Sequence, residues 1–123
     1  SEHLKVRALV AECIFCQIVG GTIPTTKLYE DDHVIAFDDI NPQARVHILV
    51  IPKRHVVSLD DTQDSDSALL GQLMVVCAKV ARDRAIVESG YRVVANTGRG
   101  AGQSVFHLHL HVLGGRSFEW PPG

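Results

Sequence analysis

The sequence is poor in aromatic residues, in cysteine and in net charge, and each shortage excludes a class of protein. Only 6% of its 123 residues are aromatic, and three are cysteine. Three cysteines are too few and of the wrong parity for a disulfide framework, so reduced thiols are expected. Twelve Lys and Arg residues stand against 14 Asp and Glu residues, which leaves a net charge of -2. Without a basic excess, binding to a nucleic-acid backbone is not expected.

Long apolar segments are also missing. The two longest, Val46–Pro52 and Phe106–Leu113, are far shorter than the roughly 20 residues that span a bilayer, and both contain histidine. The first 13 residues carry mixed charge and no apolar stretch ahead of a small-residue cleavage site. We therefore expect no membrane segment, no signal peptide and a cytoplasmic location. The hydrophobic fraction of 46% and the length fit one globular domain.

The apolar pattern predicts an α+β domain with an antiparallel sheet. One long amphipathic helix is indicated by apolar residues at three- and four-residue spacing, which are Leu69, Leu70, Leu73, Val76, Cys77 and Val80. Its N-cap is expected at Ser65 or Asp66, and Gly90 is expected just beyond its end. A short helix or turn is expected over Cys13–Val19. The strand-like runs are Lys27–Glu30, His33–Phe37, Arg45–Ile51, Tyr91–Ala95 and Val105–Leu113.

Three histidines, His107, His109 and His111, occupy alternate positions of the last run. Alternate side chains of a strand share a face and follow one another at about 6.6 Å, so the histidines share one face and the apolar residues between them the other. A lone histidine is usually structural, but three in this pattern indicate a site. They can bind a metal, or a neutral imidazole among them can attack phosphorus.

A glycine-rich loop, Gly98–Gly102, lies just ahead of the histidines and is followed by Gln103 and Ser104. Glycine allows backbone N–H groups to approach an anion closely. By itself such a loop is typical of an ordinary connection. Beside three aligned histidines it favours a phosphate site, and therefore nucleophilic catalysis.

The run from His107 to Val112 resembles the His-x-His-x-His-x-x signature of the histidine-triad (HIT) superfamily, in which x is apolar. Further segments resemble the Hint branch of that superfamily, the purine nucleoside phosphoramidases. These segments are Ile14-Phe15, Phe37-Asp38-Asp39-Ile40, the run from His47 to Lys53, Gly102-Gln103-Ser104, Gly114-Gly115-Arg116 and Trp120-Pro121-Pro122-Gly123.

The resemblance implies the HIT fold, with about five antiparallel strands, one long helix, a short N-terminal helix and a sheet extended across a homodimer. It covers residues 12–123 as the HIT domain and leaves residues 1–11 as an N-terminal extension. The ligand it implies is a purine nucleotide or nucleoside phosphoramidate.

The resemblance also implies residue roles. His109 would attack the α-phosphorus of an adenosine or guanosine 5′-phosphoramidate, and water would hydrolyse the resulting nucleotidyl-histidine to nucleoside monophosphate. His111 would hydrogen-bond the phosphate or share in the relay, and His107 would be the first histidine of the triad. His47 would orient the triad, and Ser104 would contact the phosphate and assist the departing amine. The nucleotide contacts implied are Phe15, Ile18, Phe37, Asp39, Ile40, Asn96, Gly102, Gln103, Ser104, His109 and His111. Asp39 would accept the ribose hydroxyls.

The pair Cys13-x-x-Cys16 departs from family members without cysteine at these positions. It resembles HIT proteins in which two cysteines and two histidines hold zinc, and the matching histidines would be His55 and His107. Such a Cys₂His₂ set suits a closed, structural zinc, with no cofactor required for catalysis. From the residues alone, the pair can also be redox-active or simply two buried thiols.

Other functions remain open at this point. One is a dinucleoside polyphosphate hydrolase or nucleotidyl transferase of the same superfamily, although Gly114-Gly115-Arg116 and the tail favour the phosphoramidase. Another is a non-catalytic, nucleotide-binding regulatory or scaffold protein. A third is a metallohydrolase that uses the three histidines as zinc ligands.

Overall fold

The computed structural model describes residues 10–123 and contains a five-stranded antiparallel sheet, one long helix and one short helix. The strands are β1 (Tyr29–Glu30), β2 (Val34–Asp38), β3 (Val46–Pro52), β4 (Tyr91–Val94) and β5 (Leu110–Gly114). They lie in the order β1-β2-β3-β5-β4. The helices are α1 (Ile14–Val19) and α2 (Ser67–Asp83). This architecture confirms the predicted fold class, while residues 1–9 of the expected extension lie outside the described residues.

The turn between β1 and β2 is made by Asp31. Its Oδ1 atom accepts hydrogen bonds from the backbone N–H groups of His33 at 2.7 Å and Val34 at 2.8 Å. The Asp31 N–H in turn donates to the Val34 carbonyl at 2.9 Å, which closes the hairpin. An aspartate side chain that satisfies nearby backbone donors is a common way to fix a tight turn. The first two strand-like runs of the sequence are therefore joined as a hairpin.

The two faces of the sheet are covered differently. Side chains of β3 alternate between the faces, and every residue of this strand is buried. Ile48 and Val50 pack in a core with Leu73 and Val80 of α2. The opposite face packs against the much shorter α1 in a second, smaller core, made of Phe15, Ile18, Ile35, Phe37, Leu49 and Ile51. Because α1 has only six residues, it leaves part of that face free for a cavity.

The end of α2 differs from the prediction. The helix ends at Asp83 and not just before Gly90. Ala85, and not a glycine, takes the left-handed conformation that follows the helix, with a φ of 58°. The Ala85 and Ile86 N–H groups donate to the Arg82 and Ala81 carbonyls, which is the Schellman arrangement. Gly90 instead ends the following turn. Within the described part of the chain, none of the helices is both long and apolar enough to cross a membrane.

The start of β5 also differs. The strand begins at Leu110 and not at Val105, so His107 and His109 precede it. Its pairing with β3 starts at Val50 opposite Leu110. Farther along β3, Pro52 has no N–H group to extend the ladder, and its carbonyl accepts a hydrogen bond from the His107 side chain at 2.8 Å. The alternation persists nevertheless, because the apolar residues between the histidines, Leu108, Leu110 and Val112, all join the core beneath α2.

Candidate functional site

A cavity of about 470 Å³, the main cavity, lies on the sheet face that α1 covers only in part. The predicted site residues that line it are Phe15, Ile18, Phe37, Asp39, Ile40, His47, Ser104, His109 and His111. Ile40 forms an exposed part of the wall, with 97% of its surface accessible. Asn96, Gly102, Gln103 and His107 do not line the main cavity. The structure therefore gathers most of the predicted residues from four separate segments.

The orientation of His109 follows from one hydrogen bond. Its Nδ1 atom lies 2.8 Å from the carbonyl oxygen of His107. A carbonyl oxygen only accepts, so Nδ1 carries the proton and Nε2 keeps its lone pair. The Phe15 ring packs edge-on against the imidazole, with 5.2 Å between the ring centroids. His109 is thus a fixed, neutral imidazole in the wall of the main cavity.

His111 and His47 form a second hydrogen-bonded unit, the histidine relay. The backbone N–H of Gln43 donates to Nδ1 of His47 at 3.0 Å, so the His47 proton is on Nε2. That Nε2 atom lies 2.8 Å from Nδ1 of His111, to which it donates. His111 then carries its own proton on Nε2. The relay therefore makes His111 a hydrogen-bond donor, whereas His109 is left as an acceptor by its bond to the His107 carbonyl. The centroids of the two rings are 4.9 Å apart.

Burial keeps these rings neutral near pH 7. Burial lowers the pKa of His109 and of His47 below the ordinary histidine value. For His111, burial followed by the neighbouring His109 and His47 rings lowers the pKa to about 4. Desolvation disfavours the charged imidazolium, which is the physical cause common to all three. An unprotonated Nε2 on His109 is therefore present over the whole neutral range.

Asp39 lies beside the histidine relay. Its Oδ1 atom accepts the Asn41 N–H at 2.8 Å, and its Oδ2 atom lies 3.5 Å from Nε2 of His47. The first contact closes a turn and fixes the carboxylate plane. The residue lines the main cavity, and its carboxylate has further lone pairs that can accept hydrogen bonds. Asp39 is consequently both a turn residue and a preset hydrogen-bond acceptor.

The glycine-rich loop is held by the buried side chain of Gln103. Its Oε1 atom accepts the Gly98 N–H at 2.8 Å, and its Nε2 atom donates to the carbonyls of Val57 at 2.7 Å and Val105 at 3.1 Å. The side chain thereby spans the loop from end to end and positions Ser104 at the cavity wall. Gln103 was predicted as a nucleotide contact, and the structure gives its side chain this backbone-bracing role.

His107 lies with Cys13, Cys16 and His55 in a separate group, the Cys/His cluster. The His107 Nδ1 atom is 3.4 Å from the sulfur of Cys13, 3.5 Å from that of Cys16 and 3.2 Å from Nδ1 of His55. The Cys16 sulfur is 3.3 Å from Nδ1 of His55. Ligands around tetrahedral zinc are separated by roughly 3.3–3.8 Å, as Zn–N and Zn–S bond lengths require. The donor set fits zinc.

Two further features of the cluster match a metal site. The Nε2–H of His107 donates to the Pro52 carbonyl, which leaves Nδ1 unprotonated toward the cysteines. Metal-binding histidines are commonly oriented by such a bond. Burial, together with Cys13, raises the pKa of the Cys16 thiol to about 12. Because disulfide chemistry needs a thiolate, this environment disfavours a redox role for the pair in the absence of a cation.

The sequence analysis missed two backbone groups that decide these tautomers, the N–H of Gln43 and the carbonyl of Pro52. Side-chain patterns carry no signal for such contacts. The same holds for Ile23, Pro24 and Thr25, which line the main cavity from the segment after α1.

The sequence of this chain is similar to those of known proteins. The model of the HIT domain family matches residues 20–118. An uncharacterised HIT-like protein of Synechocystis sp. is 48% identical over 115 residues, which cover 94% of this chain and 100% of the relative.

Two solved structures share the fold over most of their length. The crystal structure of a HIT family hydrolase from Legionella pneumophila has a TM-score of 0.88 and 47% identity, covering 91% of this chain and 100% of that one. The histidine triad nucleotide-binding protein from Candida albicans has a TM-score of 0.76 and 34% identity, covering 91% and 85%.

Proposed function

The chain belongs to the HIT domain family, and from that premise we propose that it hydrolyses the P–N bond of purine nucleoside 5′-phosphoramidates. The products are a nucleoside monophosphate and an amine. The observation that carries this proposal is the geometry of His109, whose Nδ1–H is held by the His107 carbonyl while the ring lines the main cavity. A neutral imidazole held in this way is a nucleophile with its lone pair available for phosphorus.

The first step forms a covalent intermediate. Nε2 of His109 attacks the α-phosphorus, the P–N bond breaks, and its electron pair leaves with the amine nitrogen. That nitrogen takes a proton through the hydroxyl of Ser104, which regains one from water. In the second step water attacks phosphorus and its proton is released. The bond to Nε2 then breaks and restores neutral His109.

The histidine relay would stabilise the phosphoryl group during both steps. His111 presents its Nε2–H as a donor because His47 already donates to its Nδ1 atom. A preset donor aimed at a phosphoryl oxygen lowers the barrier without reorganising at the moment of reaction. His47 acts through His111 and is a positioning residue. The nucleotide is held elsewhere in the main cavity, with Phe15, Ile18, Phe37 and Ile40 around the base and Asp39 at the ribose.

Three further nucleotide contacts belong to the same proposal. Asn96 and Gly102 lie close to one another, since a Cβ atom on Gly102 would be 3.7 Å from the Asn96 side-chain nitrogen. Both would approach the ribose and phosphate from the glycine-rich loop. Gln103 would contribute by bracing that loop, so that Ser104 meets the leaving nitrogen.

We also propose that the Cys/His cluster holds a structural zinc ion. Cys13, Cys16, His55 and His107 supply four suitably spaced donors, and a closed four-ligand site leaves no open position for substrate. The ion would tie the segment before α1 to the sheet and so stabilise the fold. Catalysis would require no cofactor.

A homodimer is a further part of the proposal. Strand β4 lies at one edge of the sheet, and α2 exposes two large apolar residues, Met74 at 53% and Val75 at 48%. An open edge and exposed apolar side chains are features that association commonly covers. Equilibrium sedimentation would test this, and a mass of one chain would contradict it. The three free cysteines support a reducing, cytoplasmic location.

A metal-dependent hydrolysis in the main cavity is the competing mechanism, because Asp39, His47 and His111 place donor atoms within 4.8 Å of one another. The Gln43 N–H disfavours it. With that donor on Nδ1, His47 carries its proton on Nε2, the atom that would have to bind the metal. The geometry therefore supports a hydrogen-bonded relay here.

The test is to mix the protein with adenosine 5′-phosphoramidate and, separately, with diadenosine polyphosphates, and to measure AMP release. We expect turnover of the phosphoramidate. Cleavage of the dinucleotide alone would indicate a dinucleoside polyphosphate hydrolase or nucleotidyl transferase. Binding of AMP without turnover of either compound would indicate a regulatory or scaffold protein.

A further inference from the structure

A second cavity, of about 470 Å³, adjoins the main cavity. The two share three wall residues, Ile14, Ser104 and Val105, while His109 and His111 line only the main cavity. Ser104 therefore lies on the boundary between the space that holds the reacting histidines and the space that does not. A group attached to phosphorus beside Ser104 has direct access to the second cavity.

The chemistry of the proposed reaction favours this side for the leaving group. In phosphoryl transfer the attacking and leaving atoms are roughly in line through phosphorus. With Nε2 of His109 as the attacking atom, the amine departs from the opposite side. The second cavity offers space away from both reacting histidines, and its wall includes the hydroxyl that would protonate the amine.

Two large apolar side chains in the wall of the second cavity are exposed. Ile14 is 44% exposed and Phe106 is 40% exposed, although both are large hydrophobic side chains. The Arg99 guanidinium lies over the Phe106 ring, 5.6 Å from its centroid, without lining the cavity. Exposed apolar side chains beside a reaction site indicate an apolar ligand segment that covers them.

One carboxylate, that of Glu12, is among the described residues that line this cavity. Its backbone is fixed on both sides, because the Gln17 side chain donates to the Ala11 carbonyl at 3.0 Å and the Cys13 N–H donates to Val10 at 3.2 Å. The other polar side chains of the wall include Cys13 and His55, which belong to the Cys/His cluster. A positively charged ligand group would therefore find its partner in Glu12.

We propose that the second cavity is a leaving-group subsite for an alkyl amine with an apolar stem and a cationic far end, as in an α,ω-diamine. The stem packs on Ile14 and Phe106, and the far ammonium pairs with Glu12. This inference rests on the proposed function, because it assigns the amine half of the same substrate. The nucleotide would then be recognised in the main cavity and the amine in the second cavity.

The test compares three substrates, adenosine 5′-phosphoramidate and its N-pentyl and N-(5-aminopentyl) derivatives. We expect kcat/KM to rise in that order. In Glu12→Gln, the preference for the aminopentyl over the pentyl substrate should fall about two- to fivefold, the range of an exposed ion pair. In Phe106→Ala, the preference for pentyl over the unsubstituted substrate should fall about three- to tenfold. Ratios between variants cancel the intrinsic reactivity of each amine.

Matched controls carry the same changes elsewhere. Glu88→Gln and Val87→Ala alter exposed residues outside both cavities and should leave both ratios unchanged. Equal ratios in wild type, Glu12→Gln and Phe106→Ala would overturn the subsite while leaving the phosphoramidase intact. Hydrolysis of none of the three substrates by the wild-type protein would overturn the proposed function, and the subsite with it.

Discussion

The histidines of the row share one residue type and face the same side of the sheet, yet the chemistry of His107 differs from that of His109. His107 directs Nδ1 into the Cys/His cluster, because its Nε2–H is bonded to Pro52. His109 directs Nε2 into the main cavity, because its Nδ1–H is bonded to the His107 carbonyl. His111 is made a donor by His47. The partner of the second ring nitrogen decides what each histidine can do.

His107 and His109 are also directly connected. His107 takes part in the Cys/His cluster through its side chain and orients His109 through its main chain. A ligand of the proposed zinc and the proposed nucleophile are therefore joined by a single hydrogen bond of 2.8 Å. Separate substitutions in the main cavity and in the Cys/His cluster test whether catalysis and zinc binding are as distinct as the contacts indicate.

The largest effect is expected at His109. His109→Ala should lower kcat for adenosine 5′-phosphoramidate by at least about 10³-fold, because no other imidazole in the main cavity has a free nitrogen lone pair. Zinc content should stay at the wild-type level, since the side chain is hydrogen-bonded to the main-chain carbonyl of His107 and to none of the four proposed ligand atoms. Rates of AMP release and elemental analysis measure the two outcomes. Wild-type turnover in this variant would refute the nucleophile assignment.

The opposite pattern, loss of zinc with catalysis largely kept, is expected in the Cys/His cluster. Replacing Cys13 and Cys16 by serine should abolish zinc binding and lower Tm by more than about 5 °C, because binding of a structural metal contributes directly to folding. Below the new Tm, kcat should fall less than tenfold, an estimate based on the retained His107 carbonyl. Cys77→Ala is the matched control, at a buried position of α2, and this variant should keep its zinc. Zinc-free wild-type protein with an unchanged Tm would contradict the structural role.

A smaller effect is expected in the histidine relay. His47→Ala should lower kcat about 10- to 100-fold with little change in KM, because His111 loses the donor that sets its tautomer. Gln43→Ala is the control, since Gln43 contributes its backbone N–H and not its side chain. Nitrogen chemical shifts of the His111 ring would report the tautomer directly. An unchanged His111 spectrum in His47→Ala would contradict the relay.

The smallest effect concerns pH and stability. The folded pKa of His111 is about 4, against 6.5 for an unperturbed ring, so the unfolded chain binds more protons between these values. Stability contributed by neutral His111 is therefore present above pH 6.5 and is lost as pH falls toward 4. The loss by pH 5 should be on the order of 1 kcal/mol, reduced by partial solvent exposure. Urea midpoints of wild type and His111→Gln would show it, and parallel pH profiles would contradict it.

Much of this arrangement was predictable from local patterns. The spacing of His107, His109 and His111 predicted a shared face, and helical spacing predicted the buried stripe of α2. The resemblance to the HIT superfamily predicted the group formed by Cys13, Cys16, His55 and His107, which the structure brings together. Such features depend on side-chain type and on periodicity, and both can be read from the sequence.

The rest depends on contacts between distant backbone groups. The missing N–H of Pro52 and the bond from Leu108 N–H to the Val56 carbonyl keep β5 from starting at Val105. The helix ends at Asp83, and not near Gly90, because Ile86 must turn into the core, where it is 4% exposed against Gly114. The tautomers of the histidines depend on Gln43 and Pro52 in the same way. Sequence spacing alone does not specify these partners.

The most direct test of the account is to locate the covalent intermediate. Wild-type protein would be mixed with adenosine 5′-phosphoramidate, quenched within milliseconds to seconds, and digested for mass spectrometry. The account predicts an adenylyl group on the imidazole of His109, with none on His107 or His111. An adduct on His107 or His111 would contradict the assignment of His109 as the nucleophile. Release of AMP without any nucleotide attached to the protein would contradict it equally.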